Sequence, residues 1–498
     1  GGGGGGAGGA GRRARGGGRP PAAIHPAVTP AAPDAWITAL ARWGTMGWAD
    51  VASAALRFAD EGFAMTVLSA RLIAENADGY RRWPQNAAIW LPGGRAPLPG
   101  EIFRNAELAA TIRFMADEER AAIGRGGDRQ AGLAAARDAF YRGDIAARMA
   151  AFHRDEGGWV TREDLAAFRS AIAPATLTRF RELEVLSCGP WCQGPALPQM
   201  LNLLDGIDLA ALGHNSPAYL HVLVEAMKLC FADRHVWIAD PDFVRVPLAG
   251  LLSPDYAARR RRLIDPERAH PGMPEAGTAA ELGADHQPGA ALVPHHGPYR
   301  DEALDTSYAC VVDRWGNAVS ATPSDGSFSG PAVPGLGFVP SSRGAQSWTD
   351  PSHPAVLAPG KRPRLTPNPA MLRRPDGSWI MPFGSPGNDV QAQAMLQVVL
   401  NHVVWDMPPQ DATEAPRVAT VSYPRSSEPH DYHPGRINLE RRFDDATAEA
   451  LAAKGHVPGW WEGWDYRAGA VCLVSADRQR GIMEGGADPR RPTGIAAL

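Results

Sequence analysis

The first half of the chain repeats apolar residues at helical spacing, with interruptions by glycine and proline. From Leu220 to Phe231 an apolar residue recurs every three or four positions, which predicts a long helix with a buried face. Ser216 suits the N-cap of this helix, and Pro217 suits its first position. Further helices are predicted over residues 34–43, 49–58, 71–77, 105–115, 118–123, 131–140, 145–155, 165–168 and 197–204.

Predicted strands are concentrated in the second half. Residues 308–312 and 318–322 are rich in β-branched and small side chains, and the turn 313–317 carries Gly-Asn, so a hairpin is predicted. Other strands are predicted over residues 183–186, 370–373, 378–383 and 470–474, the last taken as the final strand, and other helices over 390–404 and 449–454. Strands and helices that come in runs favour a layered α+β or α/β/β/α body.

Three long stretches lack periodicity. Residues 266–298 are rich in Pro, Gly, Ala and His, and are predicted to be an exposed linker that leads to Asp305 and Thr306. Residues 323–363 are dense in Gly, Pro and Ser, and a loop of that length usually forms a functional wall or lid. Residues 1–19 are predicted to be a disordered Gly/Ala/Arg-rich tail without a secretory signal, so a cytoplasmic location is expected.

The overall composition excludes several classes of function. A net charge of −4 does not favour nucleic acid or an anionic membrane surface as the main partner. No run of about 18 apolar residues is present to span a membrane. The five scattered cysteines predict neither a disulfide framework nor a zinc ribbon. His295 and His296 form a weak metal candidate for which an exposed linker is the simpler interpretation.

Two groups of charged residues have simple structural interpretations. Glu225 and the pair Asp233-Arg234 on the long predicted helix suggest an ion pair rather than catalysis. The arginines at 259–262 are predicted to form a solvated helix face.

Three local features can carry chemistry. Thr306 opens a predicted strand beside Asp305, and a cut between them would free an α-amino group as the base for the Thr306 hydroxyl. Residues 384–388 turn a strand into a helix, where backbone N–H groups can hold an oxyanion. Residues 324–327 offer a hydroxyl that can support the nucleophile. The structural alternatives are a β-forming strand residue, an ordinary glycine-rich connection and an Asx/Ser turn.

These features and several other segments together resemble the γ-glutamyltransferase family of N-terminal-nucleophile hydrolases. The resemblance extends from about Pro20 to Pro492. Its specific segments, in order, are residues 28–36, 61–63, 158–165, 225–243, 306–319, 359–363, 384–387 and 414–417.

The resemblance implies a four-layer αββα sandwich and a precursor that cleaves itself between Asp305 and Thr306. The products would be a large subunit, residues 20–305 behind the tail, and a small catalytic subunit, residues 306–498. Thr306 would be the nucleophile with its own amino group as base, Ser324 its hydroxyl partner, and Gly387 and Asn388 the oxyanion hole. The acyl group would pass to Thr306 and then to water or an amine, without a metal or organic cofactor. The implied partners are a small amide or peptide substrate and the other subunit, with further dimerisation left open.

The chain departs from the family around the acyl group. Residues 340–347, where the family holds the glutamyl ammonium group, contain no acid, and Gly326 stands where an asparagine is usual. Leu365-Thr366 replaces paired serines that take the α-carboxylate, and the family's arginine has no clear counterpart near residues 22–26. The candidate substrate contacts are Arg343, Gln346, Arg364, Thr366 and Ser385. Arg343 and Arg364 either bind a carboxylate on a different acyl group or are rim arginines.

Three functions therefore stay open. Hydrolysis or transfer of a γ-glutamyl group is the activity that the family implies by default. The missing acid favours a different acyl group, as in the divergent acylases and small amidases. The family's further amino-terminal section, with a Gly-Gly-Asn-Ala helix and two strands, does not stand before Pro20. This leaves open an unprocessed, non-catalytic relative and predicts a sheet with unpaired edges.

Overall fold

A computed structural model describes residues 23–286, 288, 299 and 306–497. The helices are α1 (Ala32–Trp43), α2 (Trp48–Val51), α3 (Ser53–Asp60), α4 (Val67–Glu75), α5 (Ala77–Arg81), α6 (Pro84–Trp90), α7 (Ala106–Gly124), α8 (Arg129–Tyr141), α9 (Asp144–Asp155), α10 (Arg162–Ala167), α11 (Ala196–Leu204), α12 (Leu209–Leu212), α13 (Pro217–Trp237), α14 (Leu248–Leu251), α15 (Pro254–Arg261), α16 (Ala279–Leu282), α17 (Val390–Val404), α18 (Pro409–Glu414) and α19 (Asp445–Ala453). The strands are β1 (Phe63–Ala64), β2 (Ile102–Phe103), β3 (Thr176–Phe180), β4 (Leu183–Ser187), β5 (Ala309–Val312), β6 (Ala318–Ala321), β7 (Ala370–Arg373), β8 (Trp379–Gly384), β9 (Val418–Thr420), β10 (Arg436–Glu440), β11 (Val457–Trp461), β12 (Cys472–Asp477) and β13 (Ile482–Gly486).

The central layer is a six-stranded antiparallel sheet in the order β13-β12-β8-β7-β4-β3. On β4, Leu183, Val185 and Ser187 are buried and alternate with less buried positions, the period of a strand with one core face. That face forms one apolar core with α11, α13 and α17. Helices α11, α13 and α17 therefore form one layer, and the six-stranded sheet forms the layer beside them.

The hairpin β5–β6 forms the next layer and packs on β8 and β12. Its register places Val311 opposite Val319, and these side chains are 59% and 55% exposed. The α+β class is thus confirmed. The second β layer has two strands among the described residues, and one face of this pair is exposed.

The amino-terminal helices form a separate apolar core with part of the long loop 323–363. Helices α7 and α8 pack together there, and Val333 and Leu336 of the loop are buried among them. Buried Asn86 fixes the same loop, since its amide donates to the Gly330 carbonyl (2.8 Å) and accepts from the Ala332 N–H (2.6 Å). Within the loop the structure has one 3₁₀ turn, Arg343–Gln346, so the predicted absence of regular strands and long helices is confirmed, while the role of a functional wall or lid stays a prediction.

Several element predictions are wrong. Helix α7 is continuous where two helices were predicted, because residues 115–118 continue the helical backbone without a cap. Strands β1, β2, β3, β9, β10, β11 and β13 were not predicted, and the predicted final strand is followed by β13. The 266–298 stretch contains the capped helix α16 and buries Ala269, so its described part is not a simple exposed linker.

The charged residues of α13 and α15 pair differently from the prediction. Arg260 is buried rather than solvated. The observed pairs are Glu225 with Lys228 (2.7 Å), Asp233 with Arg260 (3.6 Å) and Arg234 with Asp389. The partners in these ion pairs cannot be predicted from a single sequence, because two of the pairs join segments far apart in the chain.

Some predictions fall on residues that the structure does not describe: the tail 1–19, His295, His296 and Asp305. In the part of the chain that is described, no helix is both long and apolar enough to cross a membrane.

Candidate active site

Thr306 lies just before β5 and is 9% exposed. Its Oγ1 is 2.6 Å from Oγ of Ser324, which follows β6 by three residues. The hairpin accounts for this proximity, because the Ser307 N–H donates to the Pro323 carbonyl (2.9 Å) and extends the pairing by one step. The Thr306 carbonyl also accepts from Nη1 of Arg491 (3.2 Å).

Arg343 contacts the Ser324 side of the hydrogen bond between the two hydroxyls. Its Nη2 donates to Oγ of Ser324, and its Nε donates to the Ser324 carbonyl (3.2 Å). A guanidinium has no acceptor, so Ser324 accepts from Arg343 and retains a proton that it can donate to Thr306. A donor aimed at Oγ1 stabilises negative charge that develops there, which is what a hydroxyl nucleophile requires.

The turn from β8 into α17 lies at the same end of the sheet as Thr306. Gly384 leaves no room for a Cβ because the ring of Tyr308, two residues after Thr306, occupies that space. Gly387 has φ 125° and Asn388 has φ 46°, so both adopt backbone angles that most residues avoid. They precede the first turn of a 15-residue helix, where N–H groups and the helix dipole favour an anion.

Buried polar groups hold this turn from behind. Nε2 of Gln193 donates to the Asn388 carbonyl (2.9 Å) and to the Thr366 carbonyl (2.7 Å). Asp389 pairs with Arg234 and accepts from the Ser426 hydroxyl (2.6 Å). Burial alone would raise the pKa of Asp389, but Arg234 and the bonds from Ser426 outweigh it and hold the pKa below its usual value. Asp389 is therefore a buried carboxylate that fixes the start of α17.

The predicted substrate contacts divide into two groups. Arg343 and Gln346 share the 3₁₀ turn, and Nε2 of Gln346 donates to Oγ1 of Thr366 (3.1 Å). Hydrogen bonds through Gln193 connect Thr366 with Asn388, so Gln346, Thr366 and Asn388 lie in one network, while Arg343 bonds to Ser324.

Arg364 and Ser385 instead face inward. Arg364 is 1% exposed and donates to the Arg234 carbonyl (2.9 Å), and burial followed by the nearby Arg234 lowers its pKa to about 9. The Ser385 hydroxyl donates to the Pro386 carbonyl (2.6 Å) and accepts from the Ala470 N–H (3.0 Å). This packing favours a structural role for both, and their contact with substrate stays a prediction.

Sequence reasoning missed the residues that act from a distance, namely Gln193, Asp389, Ser426 and Arg491. Gln193 lies in a Gly- and Pro-rich stretch that signals only a loop, and its partners are 173 and 195 residues away. Only Asp389 carried a local signal, since it directly follows the turn 384–388.

One group of buried side chains has the composition of a metal site. His221, Glu225 and His456 have ligand atoms within 4.8 Å of one another. They are already hydrogen-bonded: Nδ1 of His221 lies 2.9 Å from Nε2 of His456, and Glu225 accepts from Lys228 (2.7 Å). The ammonium of Lys228 beside them opposes a second cation, so this group is best described as packing between α13 and β11.

Comparison with known proteins adds independent information. The family whose model matches residues 16–498 is described as Gamma-glutamyltranspeptidase. The Acylase ACY 1 proenzyme of Pseudomonas sp. (strain SE83) is 32% identical over 430 residues, 86% of this chain and 68% of the relative. The Glutathione hydrolase-like YwrD proenzyme of Bacillus subtilis (strain 168) is 30% identical over 475 residues, 95% of this chain and 81% of the relative. The structure of cephalosporin acylase from Bacillus halodurans superposes with a TM-score of 0.79 at 28% identity, over 96% of this chain and 80% of that one.

Proposed function

Because the chain belongs to the γ-glutamyltranspeptidase family, we propose that it is a self-cleaving amide hydrolase or acyltransferase with Thr306 as its nucleophile. The observation that carries the proposal is the 2.6 Å contact between the Thr306 and Ser324 hydroxyls, with Arg343 donating to Ser324. Cleavage of the bond between Asp305 and Thr306 would supply the missing base as a new α-amino group.

The proposed reaction proceeds in two steps. The α-amino group of Thr306 takes the proton from Oγ1 as Oγ1 attacks the amide carbonyl, and the N–H groups of Gly387 and Asn388 hold the oxyanion. The C–N bond then breaks, the amine leaves with that proton, and an ester on Oγ1 remains. Water, or a second amine, attacks the ester in the same way and restores the free hydroxyl.

We further propose that the acyl group lacks the glutamyl ammonium and ends in a carboxylate. Arg343 is the one charged residue in the loop 340–347, and its guanidinium complements an acyl carboxylate. An acid from outside these residues, Asp325, contacts them, but it already accepts from the Ser342 N–H (3.0 Å) and hydroxyl (3.2 Å). Gln346 and Thr366 add polar groups beside it. Relatives named as acylases and as glutathione hydrolases are both similar to this chain, so γ-glutamyl amides remain the second candidate.

A matched pair of chromogenic amides tests this proposal. Glutaryl-p-nitroanilide and γ-glutamyl-p-nitroanilide differ only in the α-amino group. We expect the glutaryl compound to be favoured in kcat/KM by roughly tenfold or more, on the scale of one hydrogen bond to a charged group. Thr306→Ala should abolish both activities, with Thr45→Ala as a hydroxyl-removing control at an exposed threonine. A preference for the γ-glutamyl compound would contradict the acyl assignment, and activity retained in Thr306→Ala would contradict the nucleophile.

The same proposal describes the assembled protein as a large and a small subunit cut from one precursor. The main core supports this description, because it combines residues from both sides of position 306. A small amide or peptide is the proposed substrate, while a dimer of the pair and a cytoplasmic location stay predictions.

A further inference from the structure

Two adjoining cavities open beside the residues that directly follow Ser324. The larger, about 410 Å³, lies between α3 and the loop and is lined by Asp325, Gly326 and Ser327 together with apolar side chains. The smaller, about 250 Å³, lies against α4 and α5. Both are bordered by Phe63, Trp90, Phe103 and Ser327, and the two neighbouring cavities are together named here the aromatic pocket.

The aromatic pocket is connected with Thr306 from two directions. On one side, Ser324 touches Thr306 and the next three residues line the pocket, where Ser327 is held by the Tyr80 hydroxyl (2.7 Å). On the other side, the guanidinium of Arg71 on α4 lies 5.3 Å from the centre of the Tyr466 ring. Arg491 lies 5.6 Å from the same ring and donates to the Thr306 carbonyl. Thr306 is thus linked to residues 325–327 of the pocket wall through Ser324, and to α4 through Arg491, Tyr466 and Arg71.

The lining of the pocket indicates what it binds. Phe58 and Phe63 are 49% and 39% exposed although both are large aromatic residues. Exposed aromatic surface that gathers around a cavity is a common mark of a ligand site. The apolar rings select a flat or branched apolar group, and the carboxylate of Asp325 is the one charged group among the lining residues.

The two sides of Ser324 differ in chemistry. Arg343, Gln346 and Thr366 provide charge and hydrogen bonds on one side, where the proposed function places the acyl carboxylate. The aromatic pocket is on the side of residues 325–328. A substrate amide that reacts at Thr306 has an acyl group and an amine. The polar side with Arg343 is the proposed site of the acyl group, so the amine still needs a site.

We propose that the aromatic pocket receives the leaving amine of the substrate, and that this amine carries an aromatic or bulky aliphatic group. The assignment rests on the proposed role of Thr306. In the acylation step the amine gains the Oγ1 proton as its C–N bond breaks and then departs from this pocket. The natural substrate class is therefore an amide between a carboxylate-bearing acyl group and an apolar amine.

Three amides distinguish the occupants of the pocket on the wild-type protein. Glutaric acid monobenzylamide carries the ring on the amine, glutaric acid monomethylamide carries no ring, and phenylacetyl methylamide carries the ring on the acyl group. We expect kcat/KM for the benzylamide to exceed that for the methylamide at least tenfold. Saturation-transfer NMR should show its ring protons as the strongest contacts.

A substitution pair on α3 localises the effect. Ala55 lines the larger cavity, whereas its neighbour Ala54 is exposed and is not among the residues that line it. Ala55→Trp should lower the benzylamide-to-methylamide ratio of kcat/KM at least fivefold, and Ala54→Trp should leave that ratio unchanged.

The possible failures are separable. Equal kcat/KM and equal saturation transfer for the two glutaryl amides would overturn the pocket while leaving the nucleophile intact. A preference for phenylacetyl methylamide would overturn the assignment to the amine. Preferential saturation of the benzyl ring without turnover of any amide would support the pocket and overturn the proposed role of Thr306.

Discussion

At the scale of single residues, the proposed nucleophile depends on the hydrogen bonds among Thr306, Ser324 and Arg343. Arg343 can only donate, so Ser324 accepts from it and has its own proton available for Thr306 Oγ1. Local patterns predicted Thr306, which opens one predicted strand, and a hydroxyl in residues 324–327, which follow the next one. The family resemblance singled out Ser324 among them. The contact of Arg343 with Ser324 was not predicted, because the two residues lie 19 positions apart in the loop 323–363 and no local pattern joins them.

Replacement of Arg343 tests this arrangement. Arg343→Met removes a charge-assisted hydrogen bond of about 1.5–3 kcal/mol, so kcat of the processed protein should fall by roughly 10- to 100-fold. KM for the glutaryl substrate should also rise, because the same cation faces the carboxylate. Steady-state kinetics separate the two effects, with Arg95→Met as a control on an exposed arginine paired with Glu101. An unchanged kcat would show that Arg343 does not act on the nucleophile.

Asp389 offers a test through pH. Its folded pKa is lowered, so its contribution to stability is full above the unfolded pKa, near 3.8, and is lost as pH falls through the folded value. Asp389→Asn breaks a buried pair with Arg234 and should cost about 3–5 kcal/mol at pH 7. Urea unfolding should show this difference shrinking as pH falls below 3.8. Asp78→Asn, an exposed surface pair with Arg81, should change little at either pH. A difference between wild type and Asp389→Asn that is independent of pH would count against the ion pair.

At the scale of elements, the predictions that succeeded rest on local patterns. Strand β7 and helix α17 have the predicted limits, because Pro375-Asp376-Gly377 marks a turn and the turn 384–388 marks a helix start. Strand β10 shows why others were missed. Its Asn438 and Glu440 are buried, and Glu440 is satisfied by Arg490, 50 residues later. A strand with buried polar residues lacks the alternation of apolar and polar positions by which strands are predicted. Its burial can be explained only when the ion-pair partner is known.

The hairpin β5–β6 gives a prediction at this scale. Val319→Lys places a charge on its exposed face, so the free energy of unfolding should change by less than about 1 kcal/mol and light scattering at high protein concentration should fall. Leu372→Ala in β7, which removes a fully buried side chain, should cost about 2–5 kcal/mol in the same denaturant titration. A loss in Val319→Lys as large as that in Leu372→Ala would mean that another surface covers the hairpin.

At the scale of the whole molecule, the two fragments that the proposed cut would produce share one hydrophobic core. Leu197 and Leu220 from before position 306 share one core with Met381 and Val398 from after it. Arg491 adds a bond to the Thr306 carbonyl, so the new chain end would stay in place. The resemblance implied both the layers and the cut, but the cut involves Asp305, which lies outside the described residues.

These contacts predict that the two fragments stay together after cleavage. Size-exclusion chromatography under native conditions should give one peak that contains both chains, and SDS should separate them. Fragments that elute separately without denaturant would contradict a shared core.

The central claim is tested most directly by intact mass spectrometry of purified, active protein. The account predicts two chains, one ending at Asp305 and one beginning at Thr306, and a single uncut chain in Thr306→Ala. Active protein with an unbroken backbone through positions 305 and 306 would contradict it.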